Sequence, residues 1–279
     1  MSLTRTSVDF VDADRVSVAD RGFTYGDGLF ETLRMVGGCA PLWSRHAQRL
    51  AEGCARLRIS PPDMAAIHAE VLRLANGLDD AVARVTVTRG VGARGYAFSD
   101  DARPTVVVTV SSLVLDASAY AEGIVVRQCA MRLAVQPALA GMKHLNRLEQ
   151  VLARAEWNTP DIAEGLMLDT EGHVVCATAA NLFAVVAGRL VTPSVDRCGV
   201  AGVARAEVGA VREVAQVRLS LAALIEADEV FLTSAVRGIL PVRVFATRSW
   251  QPGPVARALQ AHWREIGLPL PTGSKDSDR

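Results

Sequence analysis

Lysine is nearly missing from this 279-residue chain: of its 30 basic residues only Lys143 and Lys275 are lysine. Lys275 lies in the polar tail GSKDSDR, a terminal segment predicted to be disordered. The remainder of the chain therefore carries positive charge on arginine everywhere except at Lys143. A chain with this habit keeps a lone lysine by accident, or because a guanidinium cannot do the work required there. Only an amine condenses with a carbonyl to give a Schiff base, and only an amine sheds its proton near neutrality.

Net charge is missing too. The 30 basic residues are balanced by 30 acidic ones, which argues against nucleic-acid binding, where a basic face is the rule. Any anionic ligand must then be met by a few local arginines. No apolar run reaches the roughly 18 residues of a membrane span. The start MSLTRTSVDF lacks the apolar core of a signal peptide, so a cytoplasmic location and no membrane partner are expected. The cysteines (Cys39, Cys54, Cys129, Cys176, Cys198) are odd in number, scattered and without a CxxC pair. A disulfide framework and a zinc site are both disfavoured. The histidines share no ligand spacing, so no metal is expected.

What is present points to a mixed α/β chain. Half the residues are hydrophobic, enough for one large core or two modest ones. Alternating runs predict strands at Val16–Val18, LFETLRMV, AVARVTVTR and TVVVTVSS. Helical spacing runs from about Ser44 to Leu57, and Ser60 reads as the N-cap of a second helix with proline in its first turn. A polar segment around Asp116 marks a join. Beyond it come the strand GIVVRQCAM, a helix from about Leu145 to Trp157, and the hairpins EGLMLDTEGHVV and NLFAVVAGRLVTP. A helix from about Gly202, the strand EVFLT and a helix near Val255–Ile266 follow. The predicted division is a smaller N-terminal α/β domain over 1–115, a linker at 116–122, a larger domain over 123–268 and a disordered tail at 269–279. The elements do not alternate as βαβ units, which disfavours a plain Rossmann sheet.

Lys143 sits in LAGMKHLNRLEQVLARAEW, at a predicted strand-to-helix junction. A surface lysine is a poor fit at a helix start, where the dipole disfavours a cation. The glycine-rich loop VTRGVGARGYAF carries Arg89 and Arg94, placed either to meet a substrate carboxylate or simply to be solvated. Arg34 alternates with apolar neighbours and must face water or a ligand. Asp20, Arg21, Asp27 and Glu31, in DRGFTYGDGLFE, read as a structural signature whose glycines fix a tight loop.

Three segments together, DRGFTYGDGLFETLR, GMKHLNRLEQVLAR and EGLMLDTEGHVVCATAANLF, resemble the fold-type IV pyridoxal-phosphate enzymes. That group holds branched-chain aminotransferases, D-amino-acid aminotransferases and 4-amino-4-deoxychorismate lyases. The motifs come in the family's order from about Val8 to Pro241, and the KHLNRLEQVLAR wording is most similar to the lyase branch. The resemblance implies a two-domain fold whose larger C-terminal domain is barrel-like, bound pyridoxal 5′-phosphate, a small anionic substrate and a homodimer. It matches Lys143 to the Schiff-base lysine and Arg49, in HAQRL, to a cofactor-phosphate arginine. It also matches the backbone amides of Val203 and Ala204, in GVAGVAR, and the Ser234 hydroxyl to the same phosphate. Arg94, Arg34 and Arg89 become candidates for the substrate side.

The family usually sets a glutamate against the cofactor's ring nitrogen, and here that position is Cys176. A neutral thiol is a weak partner, so the ring works less protonated, or Cys176 ionises, or a carboxylate from elsewhere takes over. A small buried hydrophobe is the plain alternative. The activity implied is conversion of 4-amino-4-deoxychorismate to 4-aminobenzoate and pyruvate. The rivals are an aminotransferase of the same fold and a binding protein that kept the fold without the chemistry.

Overall fold

The computed structural model describes residues 4–271. Its contacts divide the chain into two compact units. The first holds the residues up to Val114 together with Met142–Asn146, and the second holds Leu115–Gly141 and the residues from Arg147 onward.

The first unit is a five-stranded sheet with helices on one face. Its elements are β1 (Thr4–Val8), β2 (Val11–Asp12), α1 (Arg21–Tyr25), β3 (Gly28–Val36), α2 (Trp43–Leu57), α3 (Met64–Ala75), β4 (Asp80–Thr88) and β5 (Thr105–Ser112). The strands are ordered β2-β1-β5-β4-β3, all antiparallel. Side chains alternate across a strand, so Leu29, Glu31, Leu33 and Met35 share one face of β3. That face meets α2: a Cβ at Gly53 would fall 2.8 Å from Leu29 Cδ1. Leu50, Cys54, Ile67 and Val71 of the two helices are buried with Leu33, Val85 and Val87 of the sheet. Each such side chain contributes about 1.5–3 kcal/mol by leaving water. The other face carries Phe30, Thr32 and Arg34 on β3, with Arg84 of β4 opposite Thr32.

Two sequence expectations fail in this unit. Val16–Val18 forms no strand; Val18 is 79% exposed and has no neighbouring strand to pair with. The second helix is not capped by Ser60. It starts at Met64, and Asp63 accepts hydrogen bonds from the amides of Ala65 and Ala66. A proline holds the residue before it extended, and an aspartate that satisfies two amides is the stronger cap.

The second unit is built on a ten-stranded sheet. Its elements begin with α4 (Ala117–Ala121), β6 (Ile124–Leu133), α5 (Leu148–Arg154), β7 (Glu164–Asp169), β8 (His173–Ala177), β9 (Asn181–Val186), β10 (Arg189–Pro193) and α6 (Val203–Val211). They end with β11 (Ala215–Val217), β12 (Leu219–Ser220), α7 (Leu221–Ile225), β13 (Glu229–Ser234), β14 (Gly238–Phe245), β15 (Arg248–Ser249) and α8 (Pro254–Glu265). Along the path β11-β10-β9-β13-β14-β6-β7-β8-β12, β8 and β9 stand far apart. Yet they are consecutive in the chain, and Ala177 N–H donates to Ala180 O across their short link. The sheet therefore curls back toward itself as a half-barrel. Inside it Phe183 and Phe231 stack at 5.2 Å.

The β9–β10 hairpin turns at Ala187 and Gly188, both at positive φ, the geometry that suits two-residue hairpins. The segment read as a linker contains α4, whose cap Asp116 accepts from Ser118 N–H. At the other end, Leu268 and Leu270 are buried, so the chain stays packed past residue 269; 272–279, with Lys275, lie outside the described residues. Among the described residues no helix is long and apolar enough to cross a membrane.

Candidate active site

Lys143 belongs to the first unit because its backbone pairs with β3, the last strand of the five-stranded sheet. Phe30 N–H donates to Lys143 O, Leu145 N–H donates to Gly28 O, and Leu29 bridges to His144. These bonds also explain why α5 starts at Leu148 rather than near Leu145: the intervening backbone is committed to a strand edge. The lysine is thus carried on a ladder rather than on a mobile loop. Its Nζ lies 4.2 Å from the centre of the Phe30 ring, a favourable place for a cation.

Arg49 is held by a buried carboxylate. Its Nε donates to Glu31 Oε1 at 2.7 Å, a second nitrogen reaches Oε2, and His46 Nδ1 lies 2.7 Å from Oε2. Burial pushes the Glu31 carboxyl up, but the hydrogen bonds from His46 and Arg49 and the charge of Arg49 outweigh it. They hold its pKa below the ordinary carboxylate value.

The arginines named for the substrate side fare differently. Arg34 is bidentate on Asp80, with Nε donating at 2.8 Å. Arg89 is bidentate on Asp27 at 2.7 and 3.0 Å, donates to the carbonyls of Leu57 and Arg58, and covers the Phe98 ring at 3.7 Å. Arg21 binds Asp27 from another side and donates to the carbonyls of Gly95 and Tyr96. Both guanidiniums therefore serve as braces within the unit, as the DRGFTYGDGLFE signature suggested. Arg94 lies exposed on the loop that Arg21 holds, next to Tyr96, which is 87% exposed.

In the second unit Val203 and Ala204 open α6, both buried. The cap residue is Gly202 and no side chain caps the helix, which leaves a buried row of amides at the positive end of the helix dipole. A Cβ at Gly202 would fall 2.0 Å from Asn181 Oδ1, so a larger residue would have to displace that side chain. Asn181 Nδ2 donates to Val200 O, while Gly141 N–H donates to Gly199 O and Gly141 O accepts from Ala201 N–H. The turn is therefore fixed from two sides. Ser234 ends β13, and its hydroxyl accepts from Arg237 N–H at 3.1 Å.

Cys176 is buried in an apolar cluster with Cys129, Trp157, Met167, Val175 and Cys198. Burial, reinforced by Cys198, pushes its thiol up to about 12, against a weaker opposing pull from Arg147. It is a neutral thiol at any physiological pH. Sequence reasoning missed Glu164, a buried carboxylate that binds Arg237 and accepts from Thr178 Oγ1 at 2.6 Å. Its only signal was a glutamate heading the apolar strand EGLMLD.

With this geometry in hand, likeness to known proteins is informative. Residues 28–245 match the amino-transferase class IV family. The chain is 35% identical over 235 residues to the aminodeoxychorismate lyase of Vibrio harveyi, covering 81% of this chain and 86% of that one. A crystal structure of 4-amino-4-deoxychorismate lyase from Pseudomonas aeruginosa is 47% identical with TM-score 0.89, over 93% of this chain and 98% of that one. The branched-chain amino acid aminotransferase of Escherichia coli, at 23% identity and TM-score 0.80 over 98% and 97% of the two chains, shares the fold. The chain belongs to the class IV aminotransferase family, with its fold-type IV architecture.

Proposed function

We propose that this chain is a pyridoxal-phosphate-dependent lyase that converts 4-amino-4-deoxychorismate to 4-aminobenzoate and pyruvate. The observation that carries the reading is the fixed placement of Lys143, with its backbone on the β3 edge and its ammonium against Phe30. The 47% identity to the Pseudomonas aeruginosa lyase over nearly the whole chain favours this branch over the aminotransferases.

The residues fit the cofactor at its phosphate and not at the usual ring-nitrogen contact. The uncapped start of α6 is an anion cradle, where the amides of Val203 and Ala204 would take the phosphate, with the Ser234 hydroxyl in a supporting role. Cys176 offers a neutral thiol in an apolar cluster, so it neither donates nor accepts a charge toward a ring. Pyridoxal phosphate, when bound, supplies an aldehyde that condenses with an amine and a ring that accepts electrons.

Lys143 would hold the cofactor through its amine and, once the substrate amine has displaced it, would serve as the base. In neutral form its Nζ takes the proton from carbon 4 of the substrate. The bond from carbon 3 to the enolpyruvyl oxygen breaks as the ring becomes aromatic, and the departing enolpyruvate is protonated to pyruvate. Among the described residues Arg94, exposed on its loop, is the one of the three substrate-side arginines without a carboxylate partner. The enzyme works in the cytoplasm as a homodimer. Support for pairing comes from α5, where Leu148, Val151 and Leu152 share a helix face and are 76, 59 and 56% exposed.

The test is incubation of the purified protein with 4-amino-4-deoxychorismate. Equimolar 4-aminobenzoate and pyruvate, both abolished in Lys143→Ala, are expected. A protein that shows the absorbance of bound cofactor yet makes neither product would point instead to amine transfer between amino and keto acids.

A further inference from the structure

Glu164 opens β7 and is buried, yet it takes no part in the proton transfers of the lyase reaction. Both of its oxygens are engaged. Oε2 accepts from Thr178 Oγ1 at 2.6 Å, and Oε1 forms an ion pair with Arg237. These partners lie 14 and 73 residues away in the chain. In the sheet β7 and β14 are separated by β6, so no ladder bond joins Glu164 to the segment that carries Arg237. An enclosed carboxylate costs free energy unless donors offset it, and this one takes its donors from two different turns.

Both turns lead to the start of α6. Arg237 is the last of the three residues between β13 and β14, a loop closed where Ser234 pairs with Gly238. Its backbone N–H donates to Ser234 Oγ at 3.1 Å, and its carbonyl accepts from the Tyr120 hydroxyl at 2.7 Å. With the guanidinium on Glu164, Arg237 is held at side chain, amide and carbonyl alike. Thr178 belongs to the short link between β8 and β9, and its amide donates to Gly165 O. That link runs into Asn181, which pairs with Thr233 beside Ser234 and donates to Val200 O in the turn before α6. Glu164 therefore steadies the Ser234 turn on one side and the Asn181 segment on the other.

A serine hydroxyl has one proton to give and two lone pairs with which to accept. At Ser234 the Arg237 N–H occupies one lone pair, which leaves the proton to be donated. An anion at the uncapped end of α6 would receive it together with the amides of Val203 and Ala204. We infer that Glu164 is a positioning residue for that anion. Through Arg237 it fixes Ser234 Oγ, and through Thr178 it fixes the segment that carries Asn181, so that a phosphate meets a formed cradle. Preformed donors bind more tightly than mobile ones because less ordering is left to do on binding. The inference rests on the cofactor reading, whose phosphate is the anion, and it gives Glu164 no contact with the cofactor itself.

The test compares pyridoxal 5′-phosphate with pyridoxal, which lacks the phosphate, as ligands of the full chain freed of cofactor. Dissociation constants are read from the absorbance of the bound aldehyde. Glutamine can still accept from Thr178, so Glu164→Gln severs mainly the Arg237 arm. It should raise the constant for pyridoxal 5′-phosphate about tenfold and that for pyridoxal by less than about twofold. Ser234→Ala should do the same. Because the two residues act in series, the double variant should bind no more than about twofold worse than the weaker single one. Arg237→Gln, at a partly exposed site, should show the same phosphate-selective loss, and it carries the test where Glu164→Gln does not fold. Equal weakening toward both ligands, or toward neither, makes Glu164 a structural brace only and overturns the inference. A double variant whose losses multiply overturns it as well. A wild-type chain that binds neither ligand fails the cofactor reading itself, and the inference falls with it.

Discussion

Glu31 and Cys176 are both acids taken out of water, one in each unit, and they end in opposite states. For each, burial is the largest influence and favours the protonated form. At Glu31 hydrogen bonds with Arg49 and His46, and the charge of Arg49, reverse the outcome. At Cys176 the neighbours are Cys129, Cys198, Trp157 and Met167, the one pull the other way comes from Arg147, and the thiol stays neutral. Burial sets the default and hydrogen-bonding partners decide whether it holds. The same rule applies to Arg21, Arg34, Arg49 and Arg89 of the first unit, each of which braces the fold through a carboxylate.

The comparison breaks most visibly at Glu31. Glu31→Gln leaves Arg49 and His46 facing an uncharged amide in a buried site, which should cost about 3–5 kcal/mol of stability. Because the folded pKa of Glu31 is depressed, its contribution is fully present above the unfolded value of about 4.3. It is lost as pH falls through the lower folded value. Wild-type protein should therefore lose stability on acidification in that range, while the variant, weaker throughout, shows a flatter acid limb. Denaturant melts at neutral and acid pH read both effects. Equal midpoints for the two proteins would mean the carboxylate is not charged in the folded state.

A smaller effect is expected at Asp27, which has two arginines and is less deeply enclosed. Asp27→Asn leaves Arg21 and Arg89 without their shared counter-ion. After allowance for solvent screening this should cost about 1–3 kcal/mol. Arg21 also holds the carbonyls of Gly95 and Tyr96, so the loop carrying Arg94 should become the first site of limited proteolysis. Unchanged cleavage there would show that Tyr25, which accepts from Gly95 N–H and packs against Tyr96, holds the loop alone.

How much of this was readable beforehand follows from the range of the interactions. Alternation in LFETLRMV, AVARVTVTR and TVVVTVSS located β3, β4 and β5, and Gly188 located the β9–β10 turn, because period and turn chemistry are local. β14 was missed since Pro241 sits inside it; pairing with β6 starts one residue later, at Val242, so the missing N–H costs that ladder nothing. The Arg34–Asp80 and Arg89–Asp27 pairs join residues 46 and 62 positions apart. From sequence both arginines looked as available as Arg94. The Lys143 segment was legible as a motif, yet its pairing with β3 is a tertiary fact that no local pattern announces.

The mildest test addresses Cys176 from the alkaline side. Its folded pKa is raised to about 12, whereas an unfolded thiol titrates near 8.5. A raised value means that its contribution to stability is intact below the unfolded pKa and drains away as pH climbs toward the folded one. Cys54, Cys129 and Cys198, each pushed up to about 11, add to the same alkaline limb. Ultraviolet thiolate absorbance from these four buried thiols should then stay low in folded protein at pH 9, and should appear in full once the protein is unfolded. Subtracting the spectrum of Cys176→Ala isolates the one thiol. A thiolate signal from Cys176 in folded protein near neutrality would place a charge in the apolar cluster. The contrast with Glu31 would then be one of degree only.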